Sequence, residues 1–179
     1  MAASQFSPQI KNYSSAEELS KIFHFRVSVW EKSEQSDLVN QQLYPNGWSD
    51  LLDASASHWV LEDEDQMKAA ARMNFFPDLA DCPYALPPHI HLQVKNNPIV
   101  FLSRLVVDPA WQGKGYSRIL IQKRMEMARE QGYNQFFVFA RVNPIMRLLE
   151  KLHFVSLGEI PVQYHPEQAA HRVHFYWLG

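Results

Sequence analysis

The 179-residue chain is 46% apolar and 20% charged, the balance of a folded globular protein and not of a disordered one. Seventeen basic against nineteen acidic side chains give a formal charge of −2, which excludes the strong positive field that draws nucleic acid or an anionic membrane. The single cysteine, Cys82, excludes an internal disulfide, offers no metal cluster, suits a reducing compartment and is expected to be a bystander. No leader-like N-terminus and no membrane-length apolar run is present, so one domain over 1–179, cytoplasmic and monomeric or homodimeric, is the expectation.

Residues 6–13 could form a first strand. Ser15-Ala16-Glu17-Glu18 is a capping box, serine and glutamate satisfying the free amides of a helix start. Leu19, Ile22, Phe23 and Trp30 then share one face, which predicts a helix to about Lys32. Arg26 interrupts that apolar stripe. An arginine paired with a carboxylate under the core edge is the preferred explanation, and a place at an acceptor site the sharper one. Residues 36–56, broken by Pro45-Asn46-Gly47, have room for a shorter second helix.

His58–Leu61 reads as a strand, Glu62–Asp65 as a solvated acidic turn, and Met67–Phe75 as the returning strand. Residues 76–98 carry five prolines and resemble no regular element; a connection that long is often a lid or binding loop. His89 and His91 stand two apart, a spacing that strand metal sites use. No third ligand in register supports them, and no metal is expected.

The next stretch is the most informative. Ile99–Val107 is an apolar, β-branched run that predicts a strand buried on both faces. Asp108-Pro109 stops it. Gln112-Gly113-Lys114-Gly115-Tyr116-Ser117 follows, and a helix is predicted over 117–131. Strand, glycine turn and helix N-terminus leave several amides unpaired at one point, where the helix dipole also favours an anion. Lys114 and Arg118 add positive charge, so the stretch suits a pyrophosphate. It is not a dinucleotide fingerprint, since Arg118 stands where the third glycine belongs. Nor is it a nucleotide P-loop, since Gly115 follows Lys114. In the helix, Leu120, Ile121, Met125, Met127 and Ala128 form the apolar face, Arg124 is expected to snorkel, and Gly132 ends the element.

Phe136–Ala140 reads as a buried strand, Asn143-Pro144 as an N-cap with proline at the first helical position, and Ile145, Leu148, Leu149 and Leu152 as one helix face. Two strands close the chain at 155–160 and 171–178. The latter sets Val173, Phe175 and Trp177 against His174 and Tyr176.

Gln112-Gly113-Lys114-Gly115-Tyr116-Ser117 is similar to the coenzyme A loop of the GNAT acetyltransferases, Arg/Gln-x-x-Gly-x-Gly/Ala. Asn143 followed by Leu148-Leu149-Glu150-Lys151-Leu152-His153-Phe154 resembles that family's later Asn and Leu-Tyr-Glu-Lys-Leu-Gly-Phe block. The resemblance covers residues 99–157. It implies an α/β (α+β) fold: a mixed, mostly antiparallel sheet flanked by helices, with its central strands splayed for acetyl-coenzyme A. It further implies that the backbone of Leu105, Val106 and Val107 pairs with the pantetheine arm. The pyrophosphate would fall to Gln112, Gly113, Lys114, Gly115, Tyr116, Ser117 and Arg118, with Asn143 on the pantetheine.

The implied activity is direct acetyl transfer to a primary amine of a small molecule or peptide in a ternary complex, driven by alignment and backbone oxyanion donors. The chain departs from the family at the acid and the base. Leu149 stands where many members carry a tyrosine acid, and Phe101 where some carry a glutamate base. His153 replaces a glycine. The catalytic residues therefore stay unassigned, with Tyr164 and His165 as candidates, and Leu149→Tyr is expected to leave folding largely intact. The missing pair also motivates a second reading, a non-catalytic acetyl-coenzyme A sensor. Arg26–Trp30 and Phe101–Leu105 resemble segments of the acyl-homoserine lactone synthases, which gives a third.

Overall fold

The computed structural model describes residues 9–94 and 98–179. Seven strands follow the order β1-β2-β3-β4-β5-β7-β6. They are β1 Gln9–Tyr13, β2 Ser57–Asp63, β3 Gln66–Phe76, β4 Ile99–Val107, β5 Gln135–Ala140, β6 Val155–Val162 and β7 His171–Leu178. The helices are α1 Ala16–Glu31, α2 Pro88–Gln93, α3 Tyr116–Glu130 and α4 Asn143–Lys151. β1 with β2, β5 with β7 and β6 with β7 run antiparallel, while β4 with β5 is parallel. The β4–β5 register runs from Ile99↔Gln135 to Phe101↔Phe137. Both strands continue beyond the last pair, to Val107 and to Ala140.

The chain forms two compact units. One takes in the chain up to Arg72 together with Arg104–Leu120, the other Met73–Ser103 and Ile121–Gly179. In the first, the capping box at Ser15 forms as predicted and α1 ends at Glu31. Ile22, Val29, Val60, Ala70 and Val106 make its core, with Leu19, Phe23 and Trp30 packed on them. Gly47 has φ +87°, and a Cβ there would sit 2.7 Å from the Phe23 Cβ. Only glycine fits so close a crossing, and it lets Trp48 N–H donate to the Phe23 carbonyl at 3.0 Å.

In the second unit, Phe101, Phe137 and Phe175 stack in series across β4, β5 and β7, with centroids 4.4 and 5.3 Å apart and rings 5° from parallel. Tyr84 meets Phe101 and Phe139 edge-on. α3 closes at Gly132 as expected, with Tyr133 N–H returning to the Ala128 carbonyl at 3.0 Å.

Several expectations change. Of the predicted first strand, residues 6–8 lie outside the described residues and β1 begins at Gln9. Within 36–56 the only helical element is a 3-10 turn, Leu51–Ser55, because Pro45 and Gly47 break the stretch before a longer helix can nucleate. Glu62 and Asp63 belong to β2, and the turn is Glu64-Asp65, both left-handed as a two-residue hairpin demands. Glu62 is buried and accepts from Lys11 and Tyr13, so it is no solvated tip. The proline-rich segment contains a 3-10 turn and α2. His89 and His91 are on that helix, where side chains two apart diverge, and His89 Nε2 lies 2.9 Å from the Leu157 carbonyl. Arg124 does not snorkel. It is 1% exposed, with Nη1 donating to the Ser103 carbonyl at 3.4 Å. β4 is fully buried only at Ile99–Leu102, Val106 and Val107. In β7, Tyr176 breaks the alternation, buried with its hydroxyl donating to Glu150 at 3.1 Å.

Candidate functional site

The end of β4, the glycine turn and the first residues of α3, Arg104–Leu120, belong to the first unit. Asp108 fixes its entry. The carboxylate accepts from Ala110 N–H at 3.0 Å and from Lys32 at 2.9 Å, while its own N–H donates to the Lys68 carbonyl at 3.0 Å. The Lys32 bond, ahead of a smaller opposing burial effect, holds the Asp108 carboxyl below its ordinary value. Pro109–Trp111 makes a 3-10 turn, and the glycine stretch follows. Gly113 has φ +77° and Gly115 +83°, and a Cβ at either would meet nothing within 4 Å. Both are therefore kept for backbone conformation and an open approach, not for packing. The first backbone bond of α3 is Ile119 N–H to the Gly115 carbonyl at 3.1 Å. The amides of Tyr116, Ser117 and Arg118 precede it, with no backbone partner among the described residues, at the positive end of the helix dipole.

Side chains around the loop are ordered by Trp111. Lys114 Nζ lies 3.8 Å and Lys68 Nζ 4.2 Å from its ring centroid, and Tyr116 stacks on it at 6.1 Å and 14°. The face of an indole attracts a cation and so localises both ammonium groups beside the loop. Gln112 Nε2 donates to the Val107 carbonyl at 3.4 Å, tying the loop to the strand that Leu105, Val106 and Val107 end. Gln112, Gly113, Lys114, Gly115 and Arg118 are exposed, whereas Tyr116 is buried.

Asn143 is exposed at the first position of α4. It is not the cap that the Asn-Pro pair suggested. Ile145 and Met146 N–H both donate to the Val142 carbonyl at 3.1 Å, which puts the cap on Val142, with no side-chain bond. Tyr164 and His165 lie in the β6–β7 connection, Tyr164 edge-on to His171 at 6.0 Å and His165 Nδ1 accepting from Glu167 N–H at 3.2 Å. Leu149 is fully buried, so a tyrosine there would overfill the core and bury its hydroxyl, contrary to the expected tolerance. Cys82 is buried, which pushes its thiol up to about 11, away from a thiolate nucleophile. Among the described residues no group of three His, Cys, Asp or Glu side chains could hold a metal ion, and no helix is long and apolar enough to cross a membrane.

A charged network in the same unit was only hinted at by Arg26. Arg26 Nη1 donates to Asp53 Oδ1 at 2.9 Å and to the Trp48 carbonyl at 3.1 Å. Arg72 pairs with Asp53 at 3.1 Å and also with Asp50, and Arg104 pairs with Asp50. Asp50 and Asp53 cap the Leu51–Ser55 turn reciprocally. His58 Nε2 lies 3.0 Å from the Asp53 carbonyl, and its Nδ1 lies 3.4 Å from Arg26 Nη2. A neutral imidazole donating from Nε2 and accepting at Nδ1 meets both partners. Burial, seconded by Arg26 and Arg72, holds it below its ordinary value against the pull of Asp53. Burial would raise the Asp50 carboxyl, but Arg104 and Arg72 outweigh it and hold it well below the usual range. Arg72, the one charge in Ala69-Ala70-Ala71-Arg72-Met73, was the signal available in the sequence.

The mixed sheet with its parallel β4–β5 pair and the glycine turn feeding α3 agree with the fold that the sequence resemblance implies. The Acetyltransferase (GNAT) family model matches residues 17–154, and the chain belongs to that family. Similar solved structures include the ribosomal-protein-S18-alanine N-acetyltransferase of Escherichia coli, at 14% identity and TM-score 0.62 over 96% of this chain and 93% of that one. A GNAT acetyltransferase from Kribbella flavida is 20% identical, with TM-score 0.55 over 95% and 96%. The yncA protein of Salmonella typhimurium, solved with its cofactor acetyl-CoA, is 18% identical, with TM-score 0.56 over 96% and 92%. No curated protein matches the sequence.

Proposed function

We propose that the protein transfers an acetyl group from acetyl-coenzyme A to a primary amine by direct attack in a ternary complex. The observation that carries this is the turn at Gly113 and Gly115, with open space at both Cβ positions and three helix-start amides before the first helical bond. In this reading those amides, with Gln112, Lys114 and Arg118, hold the pyrophosphate, and the backbone of Leu105–Val107 holds the pantetheine arm in strand fashion. The amine nitrogen bonds to the thioester carbon, the C–S bond breaks, and the thiolate leaves with the electron pair. Water takes the ammonium proton, since Phe101 and Leu149 offer neither base nor acid. Alignment carries the rate.

Thiol release from acetyl-coenzyme A with a panel of amines tests the reading. Acceptor-dependent release is the expected result. Tight coenzyme A binding without turnover of any amine would favour the sensor alternative. The acyl-homoserine lactone synthase reading gains one observation, because Arg26 and Arg104, from the two segments that resemble those enzymes, join one network through Asp53, Arg72 and Asp50. Consumption of S-adenosylmethionine with an acyl-coenzyme A distinguishes it.

A further inference from the structure

We propose that the Arg104 end of the charged network binds a carboxylate on the acceptor, so that the acceptor presents an amine and a carboxylate together, as an amino acid does. The inference rests on the acetyl-transfer reading above. Three guanidiniums, Arg26, Arg72 and Arg104, meet two carboxylates, Asp50 and Asp53. His58, neutral between its two partners, adds no charge. The network thus carries one positive charge that its own carboxylates do not balance, in surroundings where an unbalanced charge is costly.

That surplus reaches solvent at one end. The Arg26 and Arg72 side chains are 0% exposed and Asp53 4%, whereas Arg104 is 14% and Asp50 30% exposed. Arg104 has φ +51° in the middle of β4, a conformation that L-residues rarely keep without a reason. Its guanidinium lies 3.6 Å from the Trp48 ring centroid, which fixes its plane. Its Nη2 pairs with Asp50, and its Nε is buried with no hydrogen-bond partner among the described residues, so the fork is only partly satisfied by the network and keeps donor capacity for a carboxylate.

Position agrees with charge. Arg104 directly precedes Leu105–Val107, and the loop at 112–117 follows them. With phosphates at the loop and pantetheine along the strand, the thioester end of the cofactor falls toward Arg104. An anion held there brings its neighbouring amine to the reacting carbon. A single surplus charge matches a monoanion better than a phosphate dianion. The cavity of about 530 Å³ lined by Tyr13, Leu19, Asp53 and His58 is the poorer alternative, since it offers an anion a carboxylate and a neutral ring.

The test is calorimetry on the full chain saturated with coenzyme A. The probes are N-acetylglycine, N-acetylmethionine and N-acetylphenylalanine, each against the matching acetamide that lacks the carboxylate. The carboxylates should bind at least tenfold more tightly. Arg104→Gln should erase that preference. Asp50→Asn, which keeps a capping side chain and removes a competing negative charge, should preserve or tighten carboxylate binding. A purely structural network predicts instead that both variants lose it. Equal binding of the paired probes to the unsubstituted protein, or loss in both variants, overturns the proposal. Should Arg104→Gln not fold, the paired probes and Asp50→Asn decide. Should coenzyme A itself not bind, the acetyl-transfer reading falls separately, and the same pairs measured on the protein alone still decide the Arg104 site.

Discussion

Arg26 and Asp53 form an ion pair at 2.9 Å with side chains 0% and 4% exposed, one in the second half of α1 and the other in the 3-10 turn before β2. The pair joins two elements that the sequence separates by an irregular stretch. Its geometry also sets Trp48, whose carbonyl accepts from the same Arg26 nitrogen. Breaking one side leaves the other buried without its partner. Asp53→Ala should cost about 3–5 kcal/mol, because Arg26 and Arg72 both lose an acceptor. Arg26→Met should cost less, since Arg72 still holds Asp53. Urea unfolding monitored by tryptophan fluorescence measures both.

His58 gives the fold a pH dependence of known sign. Its folded value lies below the ordinary 6.5. Below pH 6.5 the unfolded chain therefore takes up a proton at this residue that the folded chain does not. Stability should fall as pH drops through that range, until the folded imidazole too is protonated, and should be level in this respect above it. His58→Gln should flatten the slope between pH 6.5 and 5. An unchanged slope in denaturant midpoints would show that His58 is not its source.

His153, in the left-handed region at φ +68°, closes α4 where the family carries a glycine. Its N–H donates to the Glu150 carbonyl at 3.0 Å, a backbone bond that glycine keeps. Relief of the left-handed penalty should make His153→Gly more stable by about 1 kcal/mol, seen as a raised midpoint with an unchanged denaturant slope.

The local chemistry of the chain was readable in advance wherever one short segment decides it. Ser15 and Glu18 announce α1, Gly132 ends α3, and Gln112–Ser117 marks the turn into that helix. What escaped depends on partners far apart in sequence. Arg26, Asp53, Arg72 and Arg104 meet only once β3 and β4 pair and Gly47 folds Trp48 onto α1. No spacing along the chain encodes that meeting. Glu62 was misplaced for the same reason, since Lys11 and Tyr13, which draw it out of the acidic turn, lie on β1. The Asn143 cap missed by one residue, because proline fits either of the first helical positions and the Val142 carbonyl takes the first bonds.

Acetyl transfer by this protein requires that the Gly113–Ser117 turn hold a pyrophosphate. Gly115 is the position to change, since its Cβ would meet nothing and the fold has no packing reason to reject a side chain there. A glutamate adds left-handed strain and a negative charge among the amides. Titration calorimetry of coenzyme A against the unsubstituted protein and against folded Gly115→Glu is the direct measurement. One-to-one binding is expected in the first and none measurable in the second. Equal affinity in the two proteins would contradict the pyrophosphate role of the turn.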